Sequence, residues 1–214
     1  DGYSVAEGGT LNVSAPGLLG NDSDPEDDGL TAVKVTDPAH GTVTLNADGS
    51  FSYTHDGSET SADSFTYKAN DGSLDSDPAT VSLTVTPEND APTDIALDSS
   101  SVAENQPSGT TVGGLSTTDP DAGDSHTYSL VSGTGDTDNA SFAVDGSSLV
   151  TAAVFDHETK SSYSVRIQTD DGSGGTYEEA FTITVTDVNE SPAAADDGYS
   201  VAEGGTLNVS APGL

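Results

Sequence analysis

The stretch that decides the fold is Thr80-Val81-Ser82-Leu83-Thr84-Val85-Thr86, in which apolar and polar residues alternate. Successive side chains of a β-strand point to opposite faces, so this period of two predicts a half-buried strand. Similar alternation, rich in β-branched and aromatic residues, recurs at residues 65–67, 163–167 and 181–185. No stretch shows convincing helical spacing. The sequence therefore predicts an all-β protein made of short strands.

Glycine-containing turns separate some of these strands. Asn46-Ala47-Asp48-Gly49 and Asp145-Gly146 each lie between short apolar runs. Such residues supply the unusual backbone angles that tight hairpins need, so both sites are predicted to be β-hairpin turns.

The composition excludes several classes of function. The chain has 214 residues, with 37 Asp and Glu, 4 Lys and Arg, and a net charge of −33. Nucleic acids and anionic membrane surfaces are excluded as partners, because binding them requires a basic footprint. With no cysteine, the chain has no disulfide, zinc-thiolate or thiol-nucleophile chemistry. No apolar run spans a bilayer and no signal-peptide pattern opens the sequence, so we expect a fragment of a larger protein or targeting information elsewhere.

Repeats organise the sequence. Residues 197–214 are identical to residues 1–18, which gives a period of 196 residues and indicates tandem duplication. A weaker internal repeat has an offset of 95 to 100 residues; for example, residues 70–73 recur as residues 170–173. Each repeat therefore contains two related modules of about a hundred residues, a usual size for a β-sandwich.

We place the modules at residues 1–90 and 91–191, with residues 192–214 as the start of the next repeat. The predicted fold is two tandem Greek-key β-sandwiches end to end, plus the first strand of a third. A single strand cannot bury its Val201 and Leu207 face alone. We therefore expect this last segment to be held by a neighbouring chain or a continued fibre.

Acidic residues cluster at corresponding places in both modules, in loops that a β-sandwich gathers at its two ends. They follow the first strand, fill the next loop, flank two late strands and form the linkers. The candidate metal ligands are Glu7, Asp22, Asp24, Glu26, Asp28, Glu88, Asn89, Asp90, Glu104, Asp119, Asp121, Asp124, Asp156, Glu158, Asp170, Asp187, Asn189 and Glu190.

Consecutive modules would bring these carboxylates together at each junction. Like charges a few ångströms apart repel by about 1 to 4 kcal/mol per pair, depending on the dielectric. A hard divalent cation removes that repulsion, and Ca²⁺ suits flexible cages of six to eight oxygens better than Mg²⁺ does. The sequence therefore predicts Ca²⁺ as the bound cofactor.

Four motifs follow one another in the second module: Ala103-Glu104-Asn105, Asp119-Pro120-Asp121, Asp156-His157-Glu158 and Asp187-Val188-Asn189-Glu190. Over residues 91–191 they resemble a bacterial cadherin repeat. In the first module, residues 19–25, 40–43 and 63–67 resemble the related cadherin-like, immunoglobulin-type modules of giant bacterial surface proteins.

The resemblance implies Ca²⁺ between consecutive modules. The implied ligands at the internal junction are Glu7, Glu88, Asn89 and Asp90, facing Asp119, Asp121 and Asp170. Those at the second junction are Glu104, Asp156, Glu158, Asp187, Asn189 and Glu190.

The first module departs from the family pattern. Pro87 stands where the family's linker begins with Asp, and no clear Asp-x-Glu pair is present, although Asp56 and Glu59 are nearby. We therefore expect one or two ions per junction.

The resemblance implies a structural function: a calcium-rigidified extender or stalk repeat of a long extracellular bacterial adhesin or fibre. Tandem copies make length because each module contacts only its neighbours. Its partners would be neighbouring repeats of the same polypeptide, and its role cell-surface adhesion or biofilm attachment. No nucleophile elbow or phosphate-binding loop occurs, and carboxylate pairs arise by chance among 37 acids, so we predict no enzyme.

The alternative function is calcium-dependent ligand binding, either to like modules on other chains or to a polysaccharide. Sugar-binding platforms commonly use tryptophan or exposed tyrosine, and tryptophan is absent. This absence favours the stalk hypothesis.

Overall fold

Two sets of β-strands account for the fold in the computed structural model, which describes residues 1–210. The first set is β1 (Gly2–Ala6), β2 (Thr10–Val13), β3 (Thr31–Thr36), β4 (Gly41–Leu45), β5 (Phe51–His55), β6 (Ala62–Asn70) and β7 (Ala79–Thr86). The second set is β8 (Asp94–Leu97), β9 (Ser101–Ala103), β10 (Thr111–Thr118), β11 (Thr127–Leu130), β12 (Phe142–Asp145), β13 (Ser148–Thr151), β14 (Ser162–Asp170) and β15 (Thr176–Thr186). Short 3-10 turns occur at Gly17–Asn21 and Asn139–Ser141.

The all-β prediction is confirmed, since the described residues form strands and 3-10 turns and no α-helix. The alternation in residues 80–86 is realised in β7, where Val81, Leu83 and Val85 are buried and the intervening Ser and Thr residues are exposed. Within residues 1–210 the structure contains no helix long and apolar enough to cross a membrane.

In the first module two sheets enclose one core. One sheet has the order β1-β7-β6-β3 and the other the order β2-β5-β4. β1 runs parallel to β7, from Gly2 opposite Ser82 to Ala6 opposite Thr86, and the other pairs are antiparallel. Tyr53, Phe65 and Tyr67 fill the space between the sheets.

The second module repeats this plan, with its opening strand divided between the sheets. β8 pairs with β10 in the sheet β12-β13-β10-β8, whereas β9 runs parallel to β15 in the sheet β11-β14-β15-β9. A separate core, which includes Leu149, Ile167 and Ile183, lies between them.

Strand direction decides which loops share an end. Because β1 and β7 are parallel, Glu7 and the linker after Thr86 leave the first module at the same end. The loop between β5 and β6 also lies there, since Ala62 pairs with Thr84. In the second module, β11 and β14 pair Thr127 with Asp170, which places the loop 119–126 beside the β14–β15 turn. This second pair of loops faces the linker.

Residues 187–210 contain no strand. Tyr199, Val201, Leu207 and Val209 of this segment are exposed, whereas Val5, the counterpart of Val201, is buried. The strand expected at residues 197–214 thus has no pairing partner within the described chain, and residues 211–214 lie outside it.

Asp63 at the start of β6 ties the two sheets of the first module together. Its Oδ1 accepts hydrogen bonds from the backbone N–H of Ala39 (2.9 Å) and Ser64 (2.8 Å). Its Oδ2 accepts from His40 N–H (2.9 Å) and from the buried Tyr53 hydroxyl (2.8 Å) on β5. Partial burial alone would raise the pKa of Asp63, but these four donors lower it below its usual range.

We expect Asp63→Ala to lower the free energy of unfolding of the first module by about 3 kcal/mol, because it leaves several donors unpaired. Asp63 has a lowered pKa in the folded state, so its stabilisation is present above about pH 4 and is lost as the pH falls through that pKa. Urea unfolding at pH 7 and pH 3 measures both effects. Asp37→Asn, which changes an exposed carboxylate paired with Lys34, is the control and should be nearly neutral.

Candidate metal centre

Three carboxylates from different elements converge at the linker end of the first module. Glu7 follows β1, Glu59 lies in the β5–β6 loop and Asp90 lies in the linker. One carboxylate oxygen from each lies within 4.8 Å of the others. Glu88 contributes its backbone, whose N–H donates to Glu7 Oε2 at 3.4 Å. The cluster therefore contains two residues that the sequence predicted, Glu7 and Asp90, together with Glu59.

The linker also contacts the second module directly. The Asp90 N–H donates to Asp121 Oδ2 (2.7 Å), and Asn89 Nδ2 donates to Asp171 Oδ2 (3.0 Å). The chain passes close to Gly175, where a Cβ atom would lie 2.7 Å from Ala91 Cα. Carboxylates of both modules are thus brought to one short linker.

The electrostatics of this cluster suit a hard cation. Desolvation, followed by the nearby carboxylates of Glu7, Asp121 and Asp90, raises the pKa of Glu59 to about 7. Glu7 Oε1 is buried without a hydrogen-bond partner. The four basic side chains of the protein form their ion pairs elsewhere, with Asp37, Asp75, Asp138 and Glu178. Glu7 Oε1 and the neighbouring carboxylate oxygens are hard oxygen ligands, which is the type of ligand that Ca²⁺ binds.

The facing loop of the second module holds its own carboxylate group. Oxygens of Asp119, Asp121 and Asp124 lie within 4.8 Å of one another. Asp119 is the most constrained of the three, because its Oδ1 accepts from Asp121 N–H (3.0 Å) and its Oδ2 lies 2.7 Å from His126 Nε2. The predicted Asp-Pro-Asp ligands therefore do lie at the internal junction.

At the far end of the second module, Glu104 is 0% exposed. Its Oε1 accepts from Val188 N–H and its Oε2 from His157 N–H, both at 2.7 Å. These backbone donors, that of Val188 first, lower the pKa of Glu104. Its oxygens also lie in a cluster with Asp156 and Glu158.

The remaining predicted ligands of this end surround that cluster. Glu158 and Asp187 form a second group with His157. Glu190 Oε1 accepts from Asn105 Nδ2 (2.6 Å), while Asn189 Nδ2 donates to the Glu190 carbonyl at 3.5 Å. This end therefore carries a second group of clustered carboxylates.

The acidic loop 22–28 lies at the opposite end of the first module from the linker. Asp22 Oδ2 accepts from the Tyr67 hydroxyl (2.9 Å), and Asp24 Oδ1 accepts from the N–H groups of Glu26 (2.9 Å) and Asp28 (3.1 Å). Asp24 and Asp119 thus form the same turn in the two modules. This loop lies apart from the internal cluster.

Two residues at the internal junction differ from the sequence-based assignment. Asp171, 5% exposed, contacts the linker instead of the predicted Asp170, whose Oδ1 accepts from Gly172 N–H. The inward alternation of Val165, Ile167 and Thr169 continues to Asp171, so this pattern could have identified it. No Asp-x-Glu spacing marks Glu59, so the sequence pattern does not predict it as a ligand.

The fold and the acidic linker define two tandem β-sandwich modules. Residues 1–87 match the bacterial cadherin-like domain and residues 98–186 match the cadherin domain. Both modules are therefore cadherin-type domains, as their motifs suggested. Cadherin domains are adhesion modules that are typically non-enzymatic, and they generally bind Ca²⁺. No curated protein matches the chain.

Solved cadherin structures share the fold. Human protocadherin-24 EC1-2 is 19% identical over 87% of this chain and 95% of its own, with a TM-score of 0.60. Mouse cadherin-23 EC22-24 is 24% identical over 87% of this chain and 63% of its own, with a TM-score of 0.57. Protocadherin gammaB7 EC3-6 is also 24% identical with a TM-score of 0.57, and the match covers 88% of this chain but only 47% of that structure.

Replacing Glu7 or Glu104 should change the melting temperature by different amounts in metal-free buffer. Glu104→Ala removes both acceptors from two buried N–H groups, so we expect the melting temperature of the second module to fall by roughly 10 °C. Glu7→Ala removes one long hydrogen bond and relieves carboxylate repulsion, and it should shift the first module's melting temperature by less than about 3 °C. Calorimetry in EDTA tests this, and equal shifts would contradict it.

Proposed function

We propose that the chain is a calcium-rigidified extender repeat of a long extracellular bacterial adhesin or fibre, secreted or at the cell surface, acting in adhesion or biofilm attachment. The observation that carries the proposal is the unpartnered, buried Glu7 oxygen within a carboxylate cluster at the linker between two modules. The exact repeat of residues 1–18 at 197–214 supports a longer array, whose neighbouring repeats are the partners of each module. The match to a bacterial cadherin-like domain supports the bacterial origin.

Residues of both modules would hold the ion. The first module would supply Glu7, Glu59 and Asp90, and the second would supply Asp119 and Asp121. Bound Ca²⁺ would supply positive charge to oxygens that no basic side chain neutralises.

Two hydrogen bonds hold the linker against the second module without a bound ion. Asp90 is held to Asp121 through its backbone N–H, and Asn89 is held to Asp171 through its amide. Both contacts limit the orientations available to the linker. A cation shared by Glu7 and Glu59 of the first module and Asp90 of the linker would limit them further, and repetition of this arrangement along an array would make a rod.

The same logic extends to the second junction. Glu104, Asp156, Glu158 and Asp187 would form its upstream half. In a longer array, the loop equivalent to residues 22–28 of the following repeat would form its downstream half. The two junctions would therefore alternate along the rod with different ligand sets.

A binding experiment tests the calcium proposal. We expect calorimetric titration of the chain to show Ca²⁺ binding with a Kd of about 10⁻⁴ to 10⁻³ M, the range of extracellular modules. Asp90→Asn should weaken binding at the internal junction, whereas Asp145→Asn, which makes the same charge change in a hairpin turn, should not. No uptake at millimolar Ca²⁺ would refute the proposal.

Chelation tests the rigidity. At millimolar Ca²⁺, a Kd in that range stabilises the folded state by about 0.4 to 1.4 kcal/mol per site. EDTA should therefore lower the melting temperature by a few degrees. In small-angle scattering, it should reduce the maximum dimension of the chain and broaden the distribution of interatomic distances. A scattering profile that EDTA leaves unchanged would rule out rigidification by metal.

A further inference from the structure

A buried histidine lies beside the carboxylate cluster without belonging to it. His55 ends β5 and is only 2% exposed. Its Nδ1 accepts hydrogen bonds from the backbone N–H of Gly8 (3.2 Å) and Gly57 (3.3 Å), and its Nε2 lies 2.9 Å from Thr60 Oγ1. Because two N–H groups point at Nδ1, that nitrogen is unprotonated and Nε2 carries the proton that is donated to Thr60.

The three partners of the ring belong to the two segments that carry Glu7 and Glu59. Gly8 directly follows Glu7 and has a positive φ of 62°, while Thr60 directly follows Glu59. The β5–β6 loop containing Gly57 and Thr60 has no regular secondary structure. One side chain therefore joins the turn after β1 to the loop after β5.

The second module holds the corresponding turn and loop without a histidine. Phe155, 4% exposed, stands one hundred residues after His55 and has no side-chain hydrogen-bonding group. There, Asp156 accepts from Thr159 N–H (3.0 Å) and Lys160 N–H donates to the Asp156 carbonyl, which closes a turn across the loop. In the first module the corresponding Asp56 side chain accepts instead from the N–H (3.0 Å) and hydroxyl (2.6 Å) of Ser58, two residues on. The buried Glu104 is fixed by two backbone N–H groups at 2.7 Å, whereas Glu7 has a single contact at 3.4 Å.

We propose that His55 is a positioning residue for the internal metal centre: its ring joins the turn at Gly8 to the loop at Gly57 and Thr60 and so sets the spacing of Glu7 and Glu59. This inference rests on the proposed calcium function and deepens it. Glu7 keeps one long backbone contact, from Glu88 N–H at 3.4 Å, where Glu104 of the second module has two at 2.7 Å, so in the first module the imidazole holds the two segments that carry Glu7 and Glu59. The two modules thus reach similar carboxylate clusters by different means.

Three variants isolate the role of the ring. His55→Phe installs the residue of the second module, keeps the site apolar and removes all three hydrogen bonds. His55→Asn keeps an acceptor near the position of Nδ1 for Gly8 and Gly57. Phe155→Leu changes the matching buried position of the second module and serves as the control.

In metal-free buffer, nitrogen NMR of the ring should give the Nε2–H tautomer with Nδ1 unprotonated. Amide exchange at Gly8 and Gly57 should be at least tenfold faster in His55→Phe than in the wild type and near the wild-type rate in His55→Asn. An Nδ1–H tautomer, or unchanged exchange at both glycines in His55→Phe, would overturn the inference whether or not the chain binds Ca²⁺.

Calcium titration, followed at the amides of Gly8 and Asp90, gives the second readout. His55→Phe should weaken Kd at this junction about tenfold, His55→Asn by less than threefold, and Phe155→Leu not at all. Equal Kd values for wild type and His55→Phe would overturn the positioning role and leave the calcium proposal standing. No shift in the wild type would defeat the calcium proposal and with it the role in a metal centre, whereas the amide-exchange measurement would still test whether the ring joins the two segments. If His55→Phe does not fold, His55→Asn and Thr60→Val, which removes only the Nε2 contact, carry both measurements.

Discussion

The key structural carboxylates of this chain accept hydrogen bonds from backbone amides, since 4 basic side chains can pair with only a few of the 37 acidic ones. Asp63 joins the sheets of the first module through three N–H groups, and Asp171 accepts three from its own turn, those of Ser173, Gly174 and Gly175. Glu104 uses two more inside the second module. Hydrogen bonds to a charged acceptor are stronger than neutral ones, so acids do structural work that ion pairs do in other proteins.

The shortage of basic side chains divides the buried acids into two groups. Some have hydrogen-bond donors for both carboxylate oxygens within their own module, and others do not. Glu104 has a donor for each oxygen and is fully buried, so its charge is compensated locally. Glu7 occupies the equivalent place in the first module with one buried oxygen unpartnered. A shared cadherin-type fold alone would not distinguish the two glutamates. Under the calcium proposal, their different surroundings predict that the two junctions of a repeat would respond differently to a cation.

The local signals of the sequence predict the fold well. Period-two alternation marks β7, β14 and β15, and the turns at 46–49 and 145–146 form the β4–β5 and β12–β13 hairpins. The junction is harder to predict, because it depends on which residues meet across a hundred positions of sequence. Ser58, not Glu59, aligns with Glu158, and only the folded loop brings Glu59 towards Glu7. For Asp171 the pattern was present in β14, and the adjacent Asp170 obscured it.

The parallel pairing of the first and last strands has a mechanical consequence. Because β1 enters the first module at one end and β7 leaves at the other, a pull along the chain loads their five residue pairs in shear, so the hydrogen bonds must break together. The second module has three such pairs between β9 and β15, and its entry strand is divided, with β8 in the other sheet. The load on the second module is therefore divided between two shorter sets of pairs in different sheets, which can break one after the other. Each repeat of the array would thus pair a stronger element with a weaker one that lengthens before it.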